Sequence, residues 1–207
     1  MKYINKPRLT LILLFLILIF TFSLSYAQKT SADIKNSVIR LHIIANSDSA
    51  ADQSLKLKVR NRITSEAADI FKNAKTQSEA LEIAAKNTGL IKSIAEDELR
   101  RCGSTQSVRI EIGEFPFPTK VYGDIMLPSG RYNAVRIILG NGSGKNWWCV
   151  MYPPLCFANG SAVISENSKS KLRESLTADE YALITENSSK NLPVNVRFKI
   201  VEILCGK

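Results

Sequence analysis

Cys149 and His42 are the side chains in this sequence best equipped to make and break covalent bonds. A cysteine activated by an imidazole, with Asn146 or Asp48 orienting the ring, is the arrangement of a thiol hydrolase. Their surroundings argue against it. Trp148 and Val150 flank Cys149, and no recognised nucleophile motif encloses it. His42, the one histidine of the chain, alternates with Leu41 and Ile43 and so shares a strand face with Arg40, a setting typical of a hydrogen-bonded structural residue. Metal chemistry is disfavoured too, since the four cysteines include no C-x-x-C pair. No paired acidic motif points to glycoside hydrolysis. These residues favour no catalytic centre, cofactor, metal or small-molecule substrate.

Two other segments are better suited to recognition. In Gly142–Phe157 (GSGKNWWCVMYPPLCF), Gly142 and Gly144 allow tight turns. A glycine loop can cradle an anion, but neither Lys-Ser/Thr nor a helix follows, so a phosphate loop is a weak reading. Trp147 and Trp148 are adjacent and face opposite ways in extended backbone, so one ring can enter the core while the other stays at the surface as an interface anchor. Pro153-Pro154 stiffens the chain between Cys149 and Cys156, the one local disulfide pairing worth testing. A rigid loop gives up little ordering entropy on binding. In Ile39–Arg60, the polar run Asn46-Ser47-Asp48-Ser49 sits at a strand-to-helix turn, where such residues, and Asp52 after them, serve either as helix caps or as partner contacts. The candidate partner-contact residues are Asn46, Asp48, Asp52, Asn146, Trp147 and Trp148.

The elements that position them read as follows. Val38–Ala45 is a strand with Ile39, Leu41 and Ile43 on one face. Ser49 followed by Asp52 is a capping-box pattern opening a helix, with Leu55, Val59, Ile63, Ala67, Ile70 and Phe71 at helical spacing. Lys56, Lys58, Arg60 and Arg62 fall mostly off that stripe and predict a basic exposed side. A second helical pattern, Gln77–Cys102, buries Leu81, Ala84, Ala85, Ile91 and Ala95, with Gly89 as the place for a break. Val108, Ile110 and Ile112 alternate as a strand, and Phe115–Pro118 reads as a loop or an edge. Pro128-Ser129-Gly130 predicts a hairpin turn between Lys120–Leu127 and Arg131–Gly140. Residues 158–170 read as a mobile connection, Thr177 with Glu180 caps a short helix to about Glu186, and Val194, Val196, Phe198 and Ile200 alternate as a last strand. The sum is an α+β single domain: an N-terminal strand, then two long helices packed on a mostly antiparallel sheet, a short third helix and a C-terminal strand.

The N-terminus sets the compartment. Lys2, Lys6 and Arg8 precede an almost wholly apolar run, Leu9–Phe20, and Ser25-Tyr26-Ala27 supplies the small residues a signal peptidase reads. Residues 1–27 are therefore a signal peptide or a retained membrane anchor, and 28–207 form an extracytoplasmic domain. The net charge of +9 falls to +6 once the three leader cations are set aside. A basic exported protein is drawn to anionic membrane surfaces and wall polymers, whereas nucleic acid is disfavoured by compartment and no binding motif points to it.

The segments quoted above, with the stretch between them, resemble one family. RLHIIANSDSAADQSLKLKVR (Arg40–Arg60), FPTKVYGDIMLPSGRYNAVRIILG (Phe117–Gly140) and GSGKNWWCVMYPPLCF stand in the order and spacing of the stage II sporulation protein R family of endospore-forming bacteria, behind an export signal such as that family carries. The resemblance spans about Val38–Phe157. It implies an intercompartmental signalling protein of endospore formation, secreted by the forespore into the space between two membranes. There it would be a protease activator and not an enzyme. Its partner would be a membrane-embedded aspartic protease, stage II sporulation protein GA, which processes the precursor of the mother-cell sigma factor E. The family supplies no catalytic residues to carry over. The alternative from another class is an extracytoplasmic cysteine-dependent cell-wall hydrolase using Cys149 and His42.

Overall fold

The computed structural model describes residues 6–71, 73–155, 164 and 166–189. Helix α1 (Lys6–Asn36) is long and apolar enough to cross a membrane. Its large apolar residues from Leu9 to Phe22 stand 47–74 % exposed, which separates it from a buried core helix of equal hydropathy. The expected leader is thus one continuous helix that runs past Ala27. The residues up to Asp33 form one unit and Ile34–Leu192 another.

The second unit is built on a four-stranded sheet of β1 (Ile39–Ile44), β2 (Val108–Phe117), β5 (Gly130–Leu139) and β6 (Asn146–Tyr152), in the order β2-β5-β1-β6. β1 runs parallel to β5 and antiparallel to β6, while β2 and β5 are antiparallel. Every residue of β1 is buried. The alternation in its sequence predicted one buried face; a second layer covers the other. On the first face, α2 (Ala50–Ile70), α3 (Gln77–Lys86) and α4 (Thr88–Arg101) pack on Leu41, Ile43, Ile137 and Leu139. Val59 and Ile63 are 0 % and 2 % exposed, each such burial contributing roughly 1.5–3 kcal/mol. On the opposite face lie β3 (Lys120–Tyr122), β4 (Ile125–Leu127), α5 (Glu166–Glu174) and α6 (Ala178–Ser189), whose Ile125, Leu127, Leu172 and Ile184 meet Val38, Ala134 and Val150.

Several local expectations hold. Thr177 and Glu180 form a reciprocal capping box: the Glu180 N–H donates to Thr177 Oγ1 (3.3 Å) and the Thr177 N–H to Glu180 Oε2 (2.9 Å). The proline-bearing segment ends β2 on a sheet edge, the place where a missing backbone donor costs least. Others need correction. The break in the second helical pattern falls at Asn87, not Gly89, because the Asn87 side chain donates to the Ile83 carbonyl (2.8 Å) and closes α3. Ala85 is exposed. The expected hairpin partner of β5 is wrong: Lys120–Leu127 folds on itself as the β3–β4 pair around Gly123 (φ 56°), and β5 pairs with β2 from Val108↔Leu139 to Phe117↔Gly130. The end of the segment expected to be mobile opens α5, where Ser168 is 3 % exposed. Residues 156–163 and the strand expected over Val194–Ile200 lie outside the described residues.

Candidate functional site

The strand-to-helix turn after β1 and the glycine loop after β5 meet at one end of the sheet, where β6 begins. Backbone bonds tie them: the Gly144 N–H donates to the Ala45 carbonyl (2.9 Å) and the Ser143 N–H to that of Asn46 (3.1 Å). Gly144 has no room for a side chain, since a Cβ there would run into the Ser47 carbonyl. Asn46 clamps both sides, accepting from the Asn141 N–H (2.9 Å) and donating through Nδ2 to Asp52 Oδ2 (2.9 Å).

Asp52 is the hub of the turn. Its Oδ2 also accepts from Ser47 Oγ (2.5 Å), its Oδ1 from Gln106 Nε2 (2.6 Å), and its own N–H donates to Ser49 Oγ (3.2 Å). The Ser47 and Asn46 donors in particular hold its carboxyl below the usual range. At 8 % exposure, with both oxygens occupied, Asp52 shapes the turn from within. Asp48, by contrast, stands exposed, and its Oδ1 accepts from the Lys145 N–H (2.7 Å).

Asn146, Trp147 and Trp148 open β6 opposite Ile44, Ile43 and His42. Both indoles are half-buried, on opposite faces of the sheet. Trp147 packs on the helical layer with the Arg60 guanidinium 5.2 Å from its ring centre. Trp148 stacks on His42 (3.7 Å between centroids) and meets Phe117 edge-on (4.8 Å). The expectation of one core and one surface ring is replaced by two rings that are each half-buried. Exposed Asn146 accepts from His42 Nε2 (2.8 Å), which places the ring proton on Nε2, and the buried Nδ1 has no hydrogen-bond partner among the described residues. Burial in this stack pushes the His42 pKa down to about 4, against the opposing effect of the Asn146 acceptor.

This arrangement removes the hydrolase dyad. Cys149 is fully buried on the helical side beside Leu41, its register partner, while His42 lies on the other face; Cys149 is also disulfide-bonded. Cys156, its expected partner, lies outside the described residues; Cys102 is a free thiol. Among the described residues no cluster of three or more His, Cys, Asp or Glu side chains could hold a metal ion.

Three basic residues at or near this site are absent from the candidate contacts that the sequence suggests. Arg40 is 0 % exposed, its guanidinium among Phe117 (4.5 Å), Tyr132 (4.8 Å) and Tyr122 (5.6 Å), donating to the Cys149 carbonyl (3.1 Å) and the Tyr122 hydroxyl (2.9 Å). Lys56, expected on an exposed basic side, is 5 % exposed and donates to Gln53 Oε1 (2.6 Å) and the Lys145 carbonyl (2.9 Å); desolvation lowers its pKa. Arg60 lies on Trp147 and donates twice to Asn61 Oδ1 (2.9 and 2.6 Å). The Lys56–Arg60 spacing of four was a visible signal, since it aligns both along one flank of α2.

No solved structure matches the chain. A curated protein of Bacillus subtilis (strain 168), stage II sporulation protein R, is 39 % identical over 180 residues, covering 82 % of this chain and 80 % of that protein. The family described as stage II sporulation protein R matches residues 35–162, which include the β1 turn, the glycine loop and β6. This chain belongs to the stage II sporulation protein R family.

Proposed function

We propose that the exported part of this sporulation protein is a protein ligand: released from the forespore into the intermembrane space, it binds the outer part of a membrane-embedded aspartic protease, stage II sporulation protein GA. Binding favours the active state of the protease, which then cleaves the sigma factor E precursor. Family membership supports the sporulation role, and the apolar α1 suits export or anchoring. The observation that carries the contact surface is the joining of both signature segments at one sheet end, where exposed Asp48 and Asn146 and half-buried Trp147 and Trp148 stand on a hydrogen-bonded frame.

A binder shifts a protease equilibrium only by its differential affinity for the two states, and moving it from 1:99 to 99:1 takes about 5.5 kcal/mol. Truncating a central interface tryptophan typically removes about 2 kcal/mol or more. The test is reconstitution: the exported chain, the protease and the precursor are co-expressed in a non-sporulating host and precursor cleavage is followed. Trp148→Ala or Asp48→Ala should abolish cleavage while secretion and folding persist. Wild-type signalling by both variants would discard this surface, and undiminished signalling by a chain retained in the cytoplasm would discard the reading itself.

A further inference from the structure

We infer that the flank of α2 beside the start of β6 is a seat for an acidic segment of the partner protein, a carboxylate next to an apolar side chain. This rests on the ligand reading above and names the chemistry of the contact. Arg60 and Lys145 supply the charge, and Trp147 and Leu57 the apolar floor. Leu57 is 40 % exposed, one of only three large apolar residues so exposed among the described residues outside α1, and it lies one turn from Arg60 on the same helix.

Among the described residues the charge on this flank is compensated only in part, by Asp48 acting on Lys56. Among the described residues, neither Lys56, Arg60 nor Lys145 makes an ion pair, whereas Arg62 on the same helix is paired with Glu66, Asp97 (3.5 Å) and Glu98 (3.6 Å). Beneath the seat, buried Lys56 has three donors and meets two neutral acceptors. Asp48 attracts it from beyond ion-pair distance. Desolvation holds Lys56 and Arg60 below their ordinary pKa values, so an incoming carboxylate relieves a cost already present in the free protein. The Arg60 guanidinium lies 5.2 Å from the Trp147 ring centre and its Nε and Nη2 donate to Asn61 Oδ1, which holds the group in place and leaves its Nη1/Nη2 edge as the fork for a carboxylate. A lipid surface fits less well: the exposed Asp48 carboxylate stands at the rim, so a uniform sheet of anions meets repulsion where a shaped protein segment need not.

The test is co-purification of the full chain with the detergent-solubilised protease at about 0.05 M and about 0.5 M salt, together with flotation on phosphatidylglycerol vesicles. Lys145→Glu alters an exposed side chain and keeps the loop's backbone bonds; Arg60→Gln keeps a polar group against Trp147. Each should weaken protease binding about ten-fold or more at low salt and flatten the salt dependence, with the thermal midpoint of Lys145→Glu near that of the wild type and that of Arg60→Gln, which gives up its bonds to Asn61, lowered by only a few degrees. An Asp or Glu to Lys change in an outer loop of the protease should restore binding to Lys145→Glu. If both variants bind as the wild type does, the seat is wrong while the ligand reading stands. A wild-type chain that does not bind the protease overturns both. Charge-dependent vesicle binding with protease binding unaffected assigns the flank to lipid and overturns the seat alone.

Discussion

His42 should make the stability of this protein fall as pH drops from about 6.5 to 5, a range in which no other side-chain type ordinarily titrates. An ordinary imidazole takes its proton near 6.5, while burial holds that of His42 near 4 in the folded chain. Between those values the unfolded chain binds a proton that the folded chain refuses. Stability is therefore full above pH 6.5 and is lost as pH falls toward 4. At about 1.36 kcal/mol per unit, the drop from pH 6.5 to 5.0 is at most about 2 kcal/mol. Stacking on Trp148 opposes this, since an indole face favours the charged ring by about 0.5–1 kcal/mol or more. The expected loss is about 1–2 kcal/mol, or roughly 2–8 °C in melting midpoint for a domain of this size. The measurement is urea and thermal unfolding of the purified exported chain at pH 7.0, 6.0 and 5.0. His42→Phe keeps a ring against Trp148, has nothing to titrate, and should flatten the slope. The chain has one histidine, so a wild-type slope that survives His42→Phe would refute the assignment, and a flat wild-type profile would refute the burial argument itself.

Three further outcomes test the frame. Asp52→Ala leaves the Asn46, Ser47 and Gln106 donors without their acceptor and should cost about 3 kcal/mol or more in urea unfolding, whereas Asp48→Ala loses one exposed bond and should cost about 1 kcal/mol or less. Arg40→Met keeps the stem and removes a buried cation that has no carboxylate partner among the described residues, so its melting midpoint should equal or exceed that of the wild type; Arg40→Ala opens a cavity and should lose about 2–5 kcal/mol. Gly144→Ala forces a methyl against the Ser47 carbonyl and should cost about 1–3 kcal/mol, while Gly89→Ala, with nothing within 4 Å, should stabilise α4 by about 0.5–1 kcal/mol in the same assay.

Local chemistry was legible. The capping pairs at Ser49–Asp52 and Thr177–Glu180, the face shared by Leu41 and Ile43, and the Val59–Ile63 stripe depend on residues a few positions apart, and each is found. What failed was long-range. The alternation around Arg40 and His42 reports polarity, not exposure. The aromatic layer that buries them comes from Phe117, Tyr122 and Tyr132, more than seventy positions later. The burial of Lys56 is hidden from the sequence for the same reason: its acceptor, the Lys145 carbonyl, is 89 positions away. Two segments resembling a family announce that they matter, but only the parallel β1–β5 register and the β6 return say that they touch.

That contact divides the candidate residues by mechanism. Asn46, Asp52 and Gly144 are spent within the chain, fixing the turn and the loop before any partner arrives. Asp48, Lys145, Trp147 and Trp148 present side-chain atoms on what those residues hold. A side chain ordered only on binding costs about 0.5–1.5 kcal/mol, so prior fixation converts contacts directly into affinity. Damage to the frame must therefore lower stability and signalling together, with signalling recovering as temperature is reduced. Among the presented residues, damage at the exposed Lys145 or Asp48 must lower signalling at every temperature with little movement of the unfolding midpoint, whereas Trp147 and Trp148 also pack on the core, so their loss lowers the midpoint too and their signalling defect must persist well below it. A variant such as Asp52→Ala that lost signalling with an unmoved midpoint would transfer Asp52 from the frame to the contact surface, and the division would have to be redrawn around it.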